Sequence, residues 1–472
     1  MSFRDLREFL EAARTLGEVK VIEGADWNLE IGCITEIMAE KEGPLLLFDS
    51  IPGYPQGFRL MTNFLATPKR FALALGLPVD VPKLEMLRLW KERGTGLNPV
   101  PPREVASAPL MDNLVEGVDV DLRKFPAPQW HDLDGGRYIG TADLVVMKDP
   151  DSGWVNVGTY RGCIQDRDRM TLWIGDSKHG KTIARKYWAR GEACPVAVVL
   201  GCDPATWLAG PSRLREGACE YDYAGALRGG PVEVVKVGPA GLPVPSSSEI
   251  VLEGEIPPPE KESADEGPFG EWPGYYTHTG RETVVRVRAV MYRDDPILLG
   301  NPPLLPTTTR YGIPLFAARI WEHLENSGIS DVAGVWCYCN TLMIVVSLRQ
   351  KYAGQAMQAM TACAGLSAGS DMYRYVVAVD DDIDPSDFNQ VFWALCTRVD
   401  PAESVQILSS WTTDLDPRLS PAKRAQRDHT FGRMLIDACK PFPWRDRFPQ
   451  TNRFSREMSE QVWERWRDRL GG

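Results

Sequence analysis

Apolar residues near the start of the chain recur at helical spacing. Leu6, Phe9, Leu10 and Ala13 share one face behind Ser2 and Asp5, and Gly17 follows, which predicts a capped amphipathic helix. Strand-like runs at 18–22 and 45–51 flank a helical stretch at 29–39, so the chain opens as an α/β unit. Residues 97–110 are proline-rich and aperiodic, as a linker would be. From about 118 the pattern changes to strands joined by turns: 141–147, the turn DPDSG, 154–163, 171–174, then 196–200, 232–237, 249–254 and 283–292. This β-rich middle predicts a barrel or sandwich. After 302, helices at 317–326, 352–364 and 387–399 alternate with strands at 332–348 and 375–379, a second α/β unit. The chain ends in an amphipathic helix with Met458, Val462 and Trp466 on one face.

Composition narrows the class. The 472 residues are 43% hydrophobic and 25% charged, as in ordinary globular proteins, and the length suggests about three domains. The 53 Lys+Arg against 64 Asp+Glu give a net charge of −11, which repels nucleic acid and anionic lipid. Ten cysteines without CxxC or zinc spacing read as reduced thiols. The N-terminus lacks an apolar signal core, and the longest uncharged stretch, 333–348, is broken by Asn340 and Thr341, so we expect a cytoplasmic protein without a membrane span.

Four constellations bear on chemistry. Residues 175–182, GDSKHGKT, match the phosphate-cradling GxxxxGK[ST] loop, with 375–380 (YVVAVD) as a strand ending in a magnesium-binding aspartate. The surrounding strands read as antiparallel, whereas such a loop belongs to a parallel βαβ frame; a nucleotide-binding protein using Gly175 to Thr182 is therefore the alternative reading. The acidic run Asp380, Asp381, Asp382, Asp384 has Pro385 and Val391 where a calcium loop needs glycine and glutamate, so it reads as a solvated turn with Asp384 or Ser386 capping the next helix. Of the histidines, His179 stands out because Asn156 precedes it and Glu220 follows, a set of oxygen and nitrogen donors suited to Mn²⁺ or Mg²⁺ with a phosphate. Finally, Glu266 and Glu271 flank Gly267, Pro268 and Gly270, which exclude a regular helix; they are either a pair dividing acid and base work or part of an acidic surface loop.

The motifs NVGTYR (156–161), SKHG (177–180), EYDYAGALRG (220–229) and EGPFGEWPGYY (266–276) together resemble the UbiD family of prenylated-FMN-dependent reversible decarboxylases. The segments GCDPAT, KYAGQA, DDDID and FWALCTR extend the likeness over nearly the whole chain. The resemblance implies a multi-part α+β and α/β fold: an N-terminal α/β unit over 1–115, a flavin-binding split β-barrel over 116–302, and a C-terminal α/β unit over 303–472 that dimerises or builds hexamers. It implies that Asn156, His179 and Glu220 hold the Mn²⁺ or Mg²⁺ that bridges to the flavin phosphate, with K⁺ nearby. Gly158, Thr159, Tyr160, Arg161 and Lys178 would contact the flavin, and Arg433 takes the place of a flavin-contacting lysine. The catalytic network it implies is Glu266, Arg161 and Glu271, with Arg161 and Glu266 positioning the substrate carboxylate and Glu271 donating the proton.

The implied reaction is decarboxylation, or its reverse, of an aromatic, heteroaromatic or α,β-unsaturated acid with CO₂ as co-product. A flavin prenyltransferase is the implied cofactor supplier. We expect substrate contacts from 304–315 and 430–441, and the positive charge concentrated at Arg161 and the metal.

Overall fold

The computed structural model describes residues 3–94, 96–212, 214–306, 313–366 and 372–470. The first helix, α1 (Leu6–Thr15), buries Leu6, Phe9, Leu10 and Ala13 as its period requires. Its cap is Asp5, whose side chain accepts from Glu8 N at 2.8 Å; Ser2 lies outside the described residues. Strand β1 (Val19–Glu23), helix α2 (Glu30–Glu40), strands β2 (Leu45–Asp49) and β3 (Arg59–Thr62), and helices α3 (Pro68–Ala74) and α4 (Lys83–Gly94) complete the opening unit.

The stretch expected as a linker is partly ordered into a sheet. Its strand β4 (Arg103–Glu104) runs parallel to a later strand, because Arg103 N and Val105 N find carbonyl partners at Val232 and Val234.

The middle of the chain then forms β5 (Asn113–Glu116), β6 (Tyr138–Gly140), β7 (Asp143–Lys148), β8 (Val155–Gly158), β9 (Gly162–Ile164) and β10 (Arg169–Leu172). Helix α5 (His179–Ala189), strand β11 (Cys194–Leu200), helices α6 (Pro204–Ala209) and α7 (Glu220–Arg228), and strands β12 (Glu233–Val237) and β13 (Leu242–Pro245) follow. Next come β14 (Ile250–Ile256), β15 (Ser263–Glu266), β16 (Gly280–Tyr292) and β17 (Ile297–Leu299).

Ten of these strands make one sheet in the order β6-β9-β10-β16-β14-β11-β7-β8, with β15 and β5 also paired to β16, and every pairing is antiparallel. It curls into a half-barrel around Val145, Met147, Val198, Leu252 and Val285. Strand β17 leaves this sheet and pairs parallel with β3, so a segment placed with the barrel completes the N-terminal sheet.

The C-terminal part contains α8 (Ile313–Asn326), β18 (Val332–Tyr338), β19 (Met343–Leu348), α9 (Gln355–Ala364), β20 (Tyr375–Asp380) and α10 (Phe388–Arg398). Two strands that the pattern did not predict, β21 (Val405–Trp411) and β22 (Thr430–Ala438), complete a sheet ordered β18-β19-β20-β22-β21. Helix α10 is capped by Asp387, which accepts from Asn389 N and Gln390 N, rather than by Asp384 or Ser386; Asp384 is occupied by the Ser386 amide and hydroxyl. Nor is the acidic run simply solvated, since Asp380 and Asp382 both bind the buried Arg398. Helix α12, preceded by the short α11 (Pro421–Ala425), spans Arg456–Leu470 and leaves Met458, Val462 and Trp466 exposed. All ten cysteines are free, and no helix among the described residues is long and apolar enough to cross a membrane.

Candidate active site

Strand β8 ends at Gly158, and the next three residues carry Arg161 to the start of β9. On a neighbouring part of the sheet β15 ends at Glu266. Gly267 then adopts φ +89°, a conformation that a side chain would strain, and the chain folds into a tight hairpin. The hairpin is closed by Thr277 N to Phe269 O at 2.9 Å and Glu271 N to Tyr275 O at 3.0 Å. Asp134 secures its outer side by accepting from Gly270 N at 2.9 Å. The loop therefore returns Glu271 to the same cation that Glu266 faces.

That cation is Arg161. Its Nε and Nη2 donate to the two oxygens of Glu266, each at 2.8 Å, and its Nη1 donates to Glu271 Oε1 at 2.5 Å. The three side chains are 6%, 2% and 12% exposed for Arg161, Glu266 and Glu271. The Trp173 ring lies 4.7 Å and the Phe269 ring 5.3 Å from the guanidinium carbon. Burial alone would lower the Arg161 pKa, but the hydrogen bonds and charges of Glu266 and Glu271 outweigh it and hold the guanidinium above its ordinary value. The pair of carboxylates is thus a buried, cation-bridged network and not a surface acidic loop.

Asn156, His179 and Glu220 also come together around one strand. Asn156 lies on β8, and α5 and α7, which begin at His179 and Glu220, both pack against that strand. Glu220 Oε2 accepts from Val157 N at 2.8 Å, the residue next to Asn156. Among the described residues Glu220 forms no ion pair, and burial pushes its carboxyl up to about 7. The buried Asn156 Nδ2 has no hydrogen-bond partner, although it lies beside the Tyr160 hydroxyl. The buried Glu220 carboxylate, the Asn156 side-chain carbonyl and an imidazole at a helix start are a donor set that fits a hard divalent ion. No three His, Cys, Asp or Glu side chains cluster among the described residues, so such a site depends on the Asn156 amide.

Gly158 has a packing reason beside any ligand role. A Cβ there would sit 2.4 Å from the Tyr160 hydroxyl, and one at Gly180 2.8 Å from it. The missing side chains let the Tyr160 ring seat between them, where Gly180 N donates to its hydroxyl at 3.3 Å.

A cleft of about 1040 Å³ opens beside these groups, between the half-barrel and the C-terminal part. Thr159, Tyr160, Arg161, Lys178 and Glu271 line it, while Glu266 stands behind Arg161. Of the walls expected from 304–315, Leu315 lines the cleft, and 307–312 lie outside the described residues. The stretch 430–441 does not line it, because β22 is an inner strand of its sheet. The loop joining β21 to β22 does so instead, through Thr412, Thr413, Arg427 and His429. Arg433 also lies away from the cleft: its Nε and Nη1 donate to the carbonyls of Tyr373 and Ala364, and its guanidinium carbon stacks 3.6 Å from the Tyr373 ring.

The phosphate-loop reading loses its frame. Residues 175–182 do open a helix, but the strand before them, β10, is antiparallel to both neighbours, and the strand 375–380 belongs to another sheet.

Sequence reasoning did not single out Tyr138, whose hydroxyl donates to Glu266 Oε1 at 2.7 Å, or Trp173. Both lie on or just after β-strands in which alternation alone marks them as ordinary interior residues.

Three consecutive family models match the chain: the 3-octaprenyl-4-hydroxybenzoate carboxy-lyase N-terminal domain over 10–90, its Rift-related domain over 103–305 and its C-terminal domain over 312–438. The chain belongs to the UbiD family of carboxy-lyases. It is 35% identical over 422 residues to pyrrole-2-carboxylic acid decarboxylase of Pseudomonas aeruginosa, covering 84% of this chain and 83% of that one. Among solved UbiD-class folds, vanillic acid decarboxylase of Sedimentibacter hydroxybenzoicus in open form superposes with TM-score 0.85 at 27% identity over the full length of both chains. The UbiD-class enzyme HmfF of Pelotomaculum thermopropionicum in complex with FMN gives TM-score 0.85 at 28% identity, over 96% of this chain and 98% of that one. An evolved dimeric form of HmfF in complex with prFMN gives 0.81 at 28%, over 96% and 97%.

Proposed function

We propose that this UbiD-family protein is a prenylated-FMN-dependent, non-oxidative decarboxylase of an acid whose carboxylate sits on an aromatic or heteroaromatic ring carbon. The observation that carries the reading is the buried Glu266–Arg161–Glu271 network presenting Arg161 and Glu271 to a cleft of about 1040 Å³. Ligand pockets span roughly 300–1,000 Å³, so this cleft has room for a flavin and a small ring acid side by side. The acids for which two relatives are named, pyrrole-2-carboxylic and vanillic acid, both carry the carboxylate on an sp² ring carbon.

Each residue has a task that its geometry supports. Arg161 is held on one side by Glu266, which leaves its Nη1 end, beside Glu271, to take the substrate carboxylate. Glu271 lies next to that carboxylate and is the group placed to deliver a proton to the carbon that loses CO₂. Asn156, His179 and Glu220, on β8 and at the starts of α5 and α7, would hold Mn²⁺ or Mg²⁺, whose charge would favour binding of the anionic flavin. The prenylated flavin, when bound, supplies the electron sink that carbanion formation at an sp² carbon requires.

The test is CO₂ release from a panel of pyrrole, furan, hydroxybenzoic and cinnamic acids. Protein loaded with prenylated FMN is expected to turn over at least one ring acid, and protein loaded with plain FMN none. Equal activity with plain FMN, or none with either, contradicts the reading.

A further inference from the structure

We propose that Tyr138 is a positioning residue for this reaction: its phenol fixes Glu266 as a hydrogen-bond acceptor and so leaves proton delivery to Glu271 alone. The inference rests on the decarboxylase reading above and adds to it the reason why two carboxylates on one arginine do different work.

The two acids differ first in how many donors they face. Glu266 Oε1 accepts from Tyr138 Oη at 2.7 Å and from Arg161 Nε at 2.8 Å, and Oε2 accepts from Arg161 Nη2 at 2.8 Å. Among the described residues, Glu271 receives one Arg161 hydrogen bond at Oε1 and, at Oε2, only the backbone N–H of Trp272 at 3.1 Å. A proton placed on Glu266 Oε1 would point at an O–H and an N–H already aimed there, whereas Glu271 lacks that crowding. They differ also in access, since Glu271 lines the cleft and Glu266 does not.

Tyr138 is held in place by packing, with the Cys163 thiol near its hydroxyl beside Glu266. Its side chain is fully buried, its ring packs on Phe269 with centroids 4.1 Å apart, and its carbonyl accepts from Trp130 Nε1 at 3.1 Å. It also pairs across strands with Cys163. Burial and the Glu266 charge raise the phenol above its ordinary pKa, so it stays protonated and donates.

The bond between ring carbon and carboxylate breaks and CO₂ departs. The electron pair left on carbon takes the Glu271 proton, and one proton from bulk solvent restores the Glu271 carboxyl, so that one proton is consumed for each CO₂ released. Glu266 keeps its charge throughout and holds Arg161 in place.

The experiment compares Tyr138→Phe with Cys163→Ala in enzyme loaded with prenylated FMN, reading deuterium exchange at the product carbon, thermal midpoint, and FMN affinity of the unloaded protein. Cys163→Ala disturbs the packing around the same ring but keeps the hydroxyl. Tyr138→Phe is expected to lower kcat about 10- to 100-fold with KM within about twofold, the scale of one hydrogen bond to a charged group. Its midpoint and FMN affinity stay near those of the parent, and Cys163→Ala keeps the parent's kcat. Full kcat in Tyr138→Phe, or equal losses in both variants, overturns the role of Tyr138 while an active parent leaves the decarboxylase reading standing. A parent inactive on every acid overturns both.

Discussion

Asp143, on β7, is a fully buried carboxyl whose Oδ2 has no partner. Burial raises its pKa from 3.8 to about 8, so in the folded protein it holds a proton that the unfolded chain releases near 3.8. The unfolded state therefore binds fewer protons between those values, and the parent loses stability as pH rises through that window. Asp143→Asn removes the titration. Its thermal midpoint relative to the parent is expected to rise steadily from pH 5 to pH 8, the gap growing by up to about 1.4 kcal/mol per pH unit. A gap that stays constant with pH contradicts the assignment. Nothing in the sequence around Asp143 marks it, because its neighbours Leu144, Val145 and Val146 make an unremarkable buried strand. Arg161, Glu266 and Glu271 were legible for the opposite reason. The glycines and proline between the two acids force a loop, which left an acid–base pair and a surface acidic loop both open, and Arg161 entered through the resemblance that NVGTYR carries. What could not be read was that the loop is buried, since that depends on Asp134 and Tyr138, which lie more than a hundred residues earlier in the chain.

At the level of elements, helical period marked the first helix and apolar runs between turns marked most half-barrel strands, of which β7, β11 and β14 are buried along nearly their whole length. They failed for β21 and β22. The pattern of β21 is mixed because it is an edge strand exposed along much of its length, and β22 carries a buried arginine, Arg433, in its middle. The phosphate-loop match in 175–182 shows a related limit, for the strand–loop–helix order is present but the pairing of β10 is antiparallel on both sides. The function of that segment follows from α5 starting at His179, close to β8, as α7 starts at Glu220. On the proposed reading the parent is expected to purify with Mn²⁺, and His179→Ala and Glu220→Gln each without it and with FMN bound at least about tenfold more weakly. Elemental analysis with a flavin titration checks this. Full metal content in both variants contradicts the site.

Over the whole molecule, the segments read from the pattern are not independent modules. Strand β17 completes the N-terminal sheet from the far side of the barrel, and β4 ties the N-terminal segment to β12. These crossings hold the half-barrel against its neighbours, and the cleft lies where it meets the C-terminal part. The net charge of −11 also takes on meaning at this scale. Arg161 alone does not concentrate positive charge, because Glu266 and Glu271 share its guanidinium, so the accumulation expected from the sequence rests on the divalent ion that Asn156, His179 and Glu220 would hold. The most direct measurement of the central claim is deuterium exchange at the product carbon by Glu271→Gln loaded with prenylated FMN, with its flavin content quantified. The account expects parental flavin content and exchange slowed about 10²- to 10⁴-fold, the range for loss of a positioned proton donor. Exchange at the parental rate in flavin-loaded Glu271→Gln would contradict it.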